Sequence, residues 1–179
     1  MERERKIVTI SLLAGLSVVI YALESFIPSP VPWLRYGFSH IIILFVLLFF
    51  SYREALLIFL VRTLIGSLIV GRLFSPTFFF GLCGGFSALV VMAGLLYVLK
   101  GRGLGIVGIS VSGAWVNSLV QMLIAAVLFA RHREIFLFLP VSLIFAVAMG
   151  IVNGIAVYYL NGYGQKALGF KGRYFPLDL

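Results

Sequence analysis

Apolar runs of membrane-crossing length, parted only by short charged or turn-forming breaks, constrain this chain more than any other feature. A helix needs roughly 20 apolar residues to cross a bilayer, because a rise of about 1.5 Å per residue must cover about 30 Å of hydrocarbon. Such runs follow one another from Ile7 to Leu160. In hydrocarbon the backbone must satisfy its own hydrogen bonds, so these segments are expected to be helices. The expected fold class is all-α, an integral membrane bundle of six transmembrane helices forming one domain over residues 1–179. The helices are expected at about 7–27, 37–50, 54–73, 76–99, 104–130 and 135–160.

The breaks are read from turn chemistry and charge. They are Pro28-Ser29-Pro30-Val31-Pro32-Trp33, Ser51–Arg53, Lys100–Gly103 and Arg131-His132-Arg133-Glu134. Pro76 suits a first helical turn, where its missing N–H costs nothing. The second helix is short for a full span. Asn161–Leu179 reads as a polar and aromatic tail. The basic start and the run from Ile7 mimic a signal peptide. However, Ala22-Leu23-Glu24 ends in the wrong residue for cleavage, so the run is expected to stay as the first helix.

Charge fixes the expected orientation. With both termini cytoplasmic, Arg3, Arg5, Lys6, Arg53, Lys100, Arg102, Lys166, Lys171 and Arg173 lie inside. Arg35, Arg72, Arg131 and Arg133 lie outside, and Arg62 lies within a helix. This bias follows the positive-inside rule and points to the cell membrane. The net charge of +8 does not point to nucleic acid, because the cations are scattered and form no stripe. Only 11% of residues are charged, against about a quarter in a soluble domain.

Several chemistries are absent. Cys83 is a lone cysteine, and His40 and His132 are far apart, so neither a disulfide nor metal-ligand spacing exists. There is no GxxxxGK[ST] loop for ATP, no acidic cluster for Mg²⁺ and diphosphate, and no Ser/His/Asp set. No catalytic residue, metal or cofactor is expected, and the chain does not read as an enzyme.

Ionisable and amide groups at membrane depth are costly, so each is expected either to meet a ligand or to pair structurally: Arg62 with Glu24 or the fifth helix, and Asn117 and Gln121 by tying helices together. Arg62 lies near the middle of the third helix and should face the interior. Glu24 closes the first helix and shares a face with Ser17 and Tyr21. Asn117 and Gln121, one helical turn apart, offer donors and acceptors on one face. Arg35, His40 and Arg72, with Ser39, Ser75, Thr77 and the aromatics Trp33 and Phe78–Phe80, are expected at the outer level. The expected substrate site is therefore Glu24, Arg35, His40, Arg62, Arg72, Asn117 and Gln121. It would take a small amphipathic molecule, neutral or anionic. The pairs Ser11/Gly15, Ser67/Gly71, Gly81/Gly85 and Gly150/Gly154 allow close helix approach. Ser11, Gly15 and Ala22, with Val18, form a first-helix face that can pack internally or dock a membrane partner.

The ordered set Leu23-Glu24-Ser25-Phe26-Ile27-Pro28, Arg53–Leu57, Arg62, Gly66-Ser67, Gly71, Ser75-Pro76, Phe78, Gly84–Ser87, Gly108–Ala114, Asn117 and Gln121 resembles the Gx transporter family. Members of that family are often labelled heptaprenyl diphosphate synthase component I. That family resembles the substrate-binding S components of energy-coupling factor transporters. The resemblance implies a six-helix binding subunit with an outward site, docked through the first helix to a transmembrane coupling subunit driven by two ATPases. The implied cargo is a small vitamin-like or isoprenoid-related molecule. The chain departs from the pattern at Val116, where His is expected before Asn117, and at Ser11/Gly15, where AxxxA is typical. The alternative is a non-transporting membrane accessory subunit of an isoprenoid/quinone or flavin-linked redox system.

Overall fold

A computed structural model describes residues 2–27, 36–100, 102–128, 137–168 and 174. Among the described residues no strand occurs and six helices are formed: α1 (Glu2–Glu24), α2 (His40–Phe49), α3 (Tyr52–Ile69), α4 (Pro76–Leu99), α5 (Ile106–Leu128) and α6 (Leu139–Leu168). Four of them are long and apolar enough to cross a membrane: α1 from Glu4, α4, α5 to Val127 and α6 to Gln165. The fold is thus an all-α membrane bundle. Two of the six expected spans differ from the other four. The α2 helix has only 10 residues, and α3 carries Arg53, Glu54 and Arg62 within its 18 residues.

The helix ends follow local chemistry. Ser51 precedes α3, and the Glu54 carboxylate accepts the Ser51 N–H at 3.1 Å and also its hydroxyl, so Ser51 and Glu54 together cap the helix. This places the start at Tyr52, ahead of the expected Glu54. The helix stops at Ile69 rather than Leu73, because Gly71 turns left-handed (φ 68°) and Arg72 N–H closes on the Ser67 carbonyl at 2.9 Å. Gly71 therefore ends α3 and is not part of an intrahelical packing pair with Ser67. α4 spans Pro76–Leu99 as expected, with the Ser75 hydroxyl accepting from Phe78 N–H at 3.3 Å.

Elsewhere the bounds shift by a few residues. The α1 helix begins at Glu2, since its charged first turns are good helix formers. It ends at Glu24, before turn bonds over Ser25–Ile27. The α2 helix begins at His40, because Gly37 is left-handed (φ 76°). The expected tail from Asn161 is helical to Leu168. Asn161 and Gly164 are buried, and a Cβ at Gly164 would lie 3.0 Å from the Phe45 ring of α2. Packing against α2 therefore carries the helix past a polar stretch. The expected break at 131–134 lies outside the described residues.

α2 is the hub of the bundle. Ile42 through Leu48 are all buried, as a helix apolar on every side should be. It packs against α3, α4 and α6, and the series continues α3 on α4, α4 on α5 and α5 on α6. α1 packs on α3. Close approach at these seams uses glycine. A Cβ at Gly150 or Gly154 of α6 would come within 2.7 Å of α5 backbone. At Gly66 of α3 it would come within 2.5 Å of the Tyr21 ring.

Candidate functional site

Polar side chains gather where the ends of α1 and α2 meet the middles of α3, α5 and α6. Arg62 is buried (2% exposed), as are Glu24, Asn117, Gln121 and Asn153. Burying such groups in an apolar bundle is expensive unless they are organised around partners.

Gly37 is the organising backbone unit. Its N–H donates to Glu24 Oε1 at 2.6 Å, and Ser39 Oγ lies 3.5 Å from Glu24 Oε2. Its carbonyl accepts the His40 N–H at 2.9 Å and Asn153 Nδ2 at 3.2 Å. One left-handed glycine thus joins α1, α2 and α6. Such a conformation is open to glycine at little cost.

Arg62 lies against His40, with Nη2 3.3 Å from His40 Nε2, and its guanidinium sits 5.3 Å from the centre of the Phe59 ring. Arginine can only donate, so His40 Nε2 is the acceptor and the imidazole proton belongs on Nδ1. The close fit comes from Gly85 of α4, where a Cβ would lie 2.7 Å from Phe59 and 3.4 Å from both Arg62 Nη2 and His40 Nε2. On α5, Gln121 Nε2 donates to Asn117 Oδ1 at 3.1 Å. Gly84 leaves room for that pair, since a Cβ there would meet Asn117 Oδ1 at 2.6 Å.

Two adjoining cavities open between these groups. One, with about 250 Å³ of unfilled space that includes its mouth, is lined by Glu24, His40, Arg62, Asn117 and Gln121 among others. The second, with about 480 Å³ of unfilled space that includes its mouth, shares His40, Asn117 and Gln121 and extends between α5 and α6. Its further walls are Met92, Ser110, Ala146, Met149 and Asn153. It is narrow, and the enclosed room suits on the order of two waters. Glu24 and Arg62, of opposite charge, both line the first cavity.

Five of the seven expected site residues are brought together: Glu24, His40, Arg62, Asn117 and Gln121. Arg72 is not among them. Its side chain is exposed in the turn after α3, and it lines neither cavity. The turn after Gly71 carries it outward, and its backbone serves the α3 cap. Arg35 lies outside the described residues. On α1, Ser17, Tyr21 and Glu24 are all buried, with Tyr21 Oη 2.8 Å from Ser67 Oγ. Ser11 and Gly15 are exposed and Ala22 is half-buried, while Val18 is buried. The expected small-residue face is thus divided between the outer and inner sides of α1. Among the described residues no cluster of His, Cys, Asp or Glu could hold a metal ion.

Asn153, Tyr36 and Met149 also line the larger cavity. Sequence reasoning missed them. For Asn153 the signal was present: an amide in the middle of a membrane-length helix, the same cue that marks Asn117. Asn153 Oδ1 is buried without a hydrogen-bond partner among the described residues.

Comparison with known proteins gives one assignment. A family model described as heptaprenyl diphosphate synthase component I matches residues 13–160. No curated protein and no solved structure matches the chain.

Proposed function

The chain belongs to the heptaprenyl diphosphate synthase component I family, and from that premise we propose that it is a non-catalytic, membrane-embedded substrate-binding subunit of an energy-coupling factor type importer. Its cargo is a small vitamin-like or isoprenoid-related molecule. The observation that carries this reading is the buried polar cluster of Glu24, His40, Arg62, Asn117 and Gln121 around two adjoining cavities in an apolar bundle. A few convergent polar groups in a mostly apolar pocket are the usual make-up of a small-molecule site. The cavity is narrow, so cargo entry needs outward movement of side chains. Met92 and Met149 suit that movement, because thioether chains re-pack at low cost.

The protein resides in the cell membrane with both termini cytoplasmic, a reading supported by the Lys and Arg bias. A transmembrane coupling subunit with two ATPases docks on α1. Exposure of Ser11, and of Gly15 with no atom within 4 Å of an added Cβ, supports that face. A second reading, an accessory subunit of an isoprenoid or redox system, is favoured by the family description, which names a component of a synthase.

Mass spectrometry of small molecules that copurify with the protein tests the site. The retained molecule should be lost on Arg62→Ala and on Asn117→Ala in protein that still runs as a folded species. Retention indifferent to both substitutions sinks the site. A mild-detergent pulldown separates the two roles: ATPase and coupling subunits indicate transport, and a prenyl synthase or flavoprotein indicates the accessory role.

A further inference from the structure

We propose that Asn153 of α6 is a ligand-binding residue of the larger cavity, and that it selects a ligand head carrying an uncharged N–H or O–H donor. This rests on the binding-site reading above and names the chemistry that site takes.

The orientation of the Asn153 amide follows from its partner. Gly37 O is a carbonyl and can only accept, so the amide nitrogen must face it, at 3.2 Å. The oxygen is then the atom left over. Asn153 is 5% exposed and lines the cavity, and Oδ1 has no hydrogen-bond partner among the described residues. The nitrogen cannot trade places with the oxygen without setting two carbonyl oxygens against each other. A buried acceptor left unmade costs about 1–3 kcal/mol. A ligand that brings a donor to this point recovers that cost.

The surroundings narrow the class. Across the same cavity, Asn117 Oδ1 is already engaged by Gln121. The remaining walls include Met92, Ala114, Ala146 and Met149, which suit an apolar body. A diphosphate is acceptor-only when ionised, so its oxygens would oppose the Asn153 oxygen lone pairs. The cation of Arg62 does not reverse this, because it lines the neighbouring cavity together with the Glu24 carboxylate. The head that fits is an amide, lactam, imide, ring N–H or hydroxyl, carried on a compact apolar frame.

The test uses the full-length protein in lipid nanodiscs and three probes. 2-Pyrrolidinone is a small lactam with an N–H donor. γ-Butyrolactone has the same ring with oxygen in place of N–H. Inorganic diphosphate is the anionic competitor. Binding is read by titration against thermal unfolding. The lactam should bind about ten-fold or more tightly than the lactone, the discrimination that one unmade buried hydrogen bond produces. Diphosphate should not displace the lactam. In folded Asn153→Ala the lactam should lose its advantage.

Equal binding of lactam and lactone to the unaltered protein overturns the proposal, whether or not Asn153→Ala folds. So does displacement by diphosphate, or an advantage that persists in Asn153→Ala. If neither ring binds while copurified molecules still depend on Arg62 and Asn117, this inference falls and the binding function stands. If nothing binds or copurifies, both fall.

Discussion

Asn153 on α6 donates its side-chain amide to the carbonyl of Gly37, 116 residues earlier in the chain, at 3.2 Å. The N–H of the same Gly37 donates to Glu24 at the end of α1. Neither bond is implied by sequence proximity, yet together they tie α1 and α6 to Gly37, which lines both cavities.

Gly37→Ala forces a side chain into a left-handed conformation (φ 76°) and sets its Cβ 3.4 Å from His40 Nδ1. The expected loss is about 1–2 kcal/mol, seen as a lower unfolding temperature in detergent. Hydrogen exchange should also quicken at the start of α2. An unchanged unfolding temperature would show that the Gly37 junction carries no stability.

At the α1–α3 seam, Gly66→Ala should be worse than Tyr21→Phe. An added Cβ would sit 2.5 Å from the Tyr21 ring, so α1 must move. Overpacking of this kind costs about 1–3 kcal/mol. Removing the Tyr21 hydroxyl ends its bond to Ser67, worth about 1 kcal/mol. Comparing unfolding midpoints of the two variants decides the order.

Gly84→Ala should empty the site without substituting a polar residue. Its Cβ would meet Asn117 Oδ1 at 2.6 Å and the Asn117 carbonyl at 3.1 Å. The Asn117–Gln121 pair must then rearrange. Copurified small molecules should fall several-fold, while the helical signal in circular dichroism is kept. Full retention would mean that the amide pair is not part of the site.

Lys6 and Glu54 form an ion pair between α1 and α3 at 2.6 Å, with Lys6 44% exposed and Glu54 20% exposed. Glu54 also caps α3 through Ser51. An exposed pair is worth about 0–1 kcal/mol, and a capping group about 1 kcal/mol. Glu54→Ala should therefore destabilise more than Lys6→Ala. A double-mutant cycle should return a coupling below the full Glu54 effect, and a coupling equal to it would assign Glu54 wholly to the ion pair.

Much of the fold was legible in the chain. Pro76 marked the start of α4, and the apolar runs marked α1, α4, α5 and α6. Helix ends were less legible. Ser51 and Glu54 cap α3 before the expected start, and Gly71 stops it before the expected end. α6 runs past Asn161 because Gly164 packs on Phe45, a contact with no local signature.

The site divided in the same way. Arg62, Glu24, Asn117 and Gln121 were identifiable alone, because a polar group at membrane depth is costly wherever it lies. By itself the sequence determined an all-α membrane bundle and the chemical types it must bury. Only the tertiary structure decided that His40 faces Arg62, that Arg72 turns outward and that Asn153 joins the cavity wall. Hydrophobicity sets which segments leave water, and that is a property of each segment. Which polar atoms meet depends on helix rotation and close approach, set by glycines such as Gly37, Gly84 and Gly85 against partners distant in the chain.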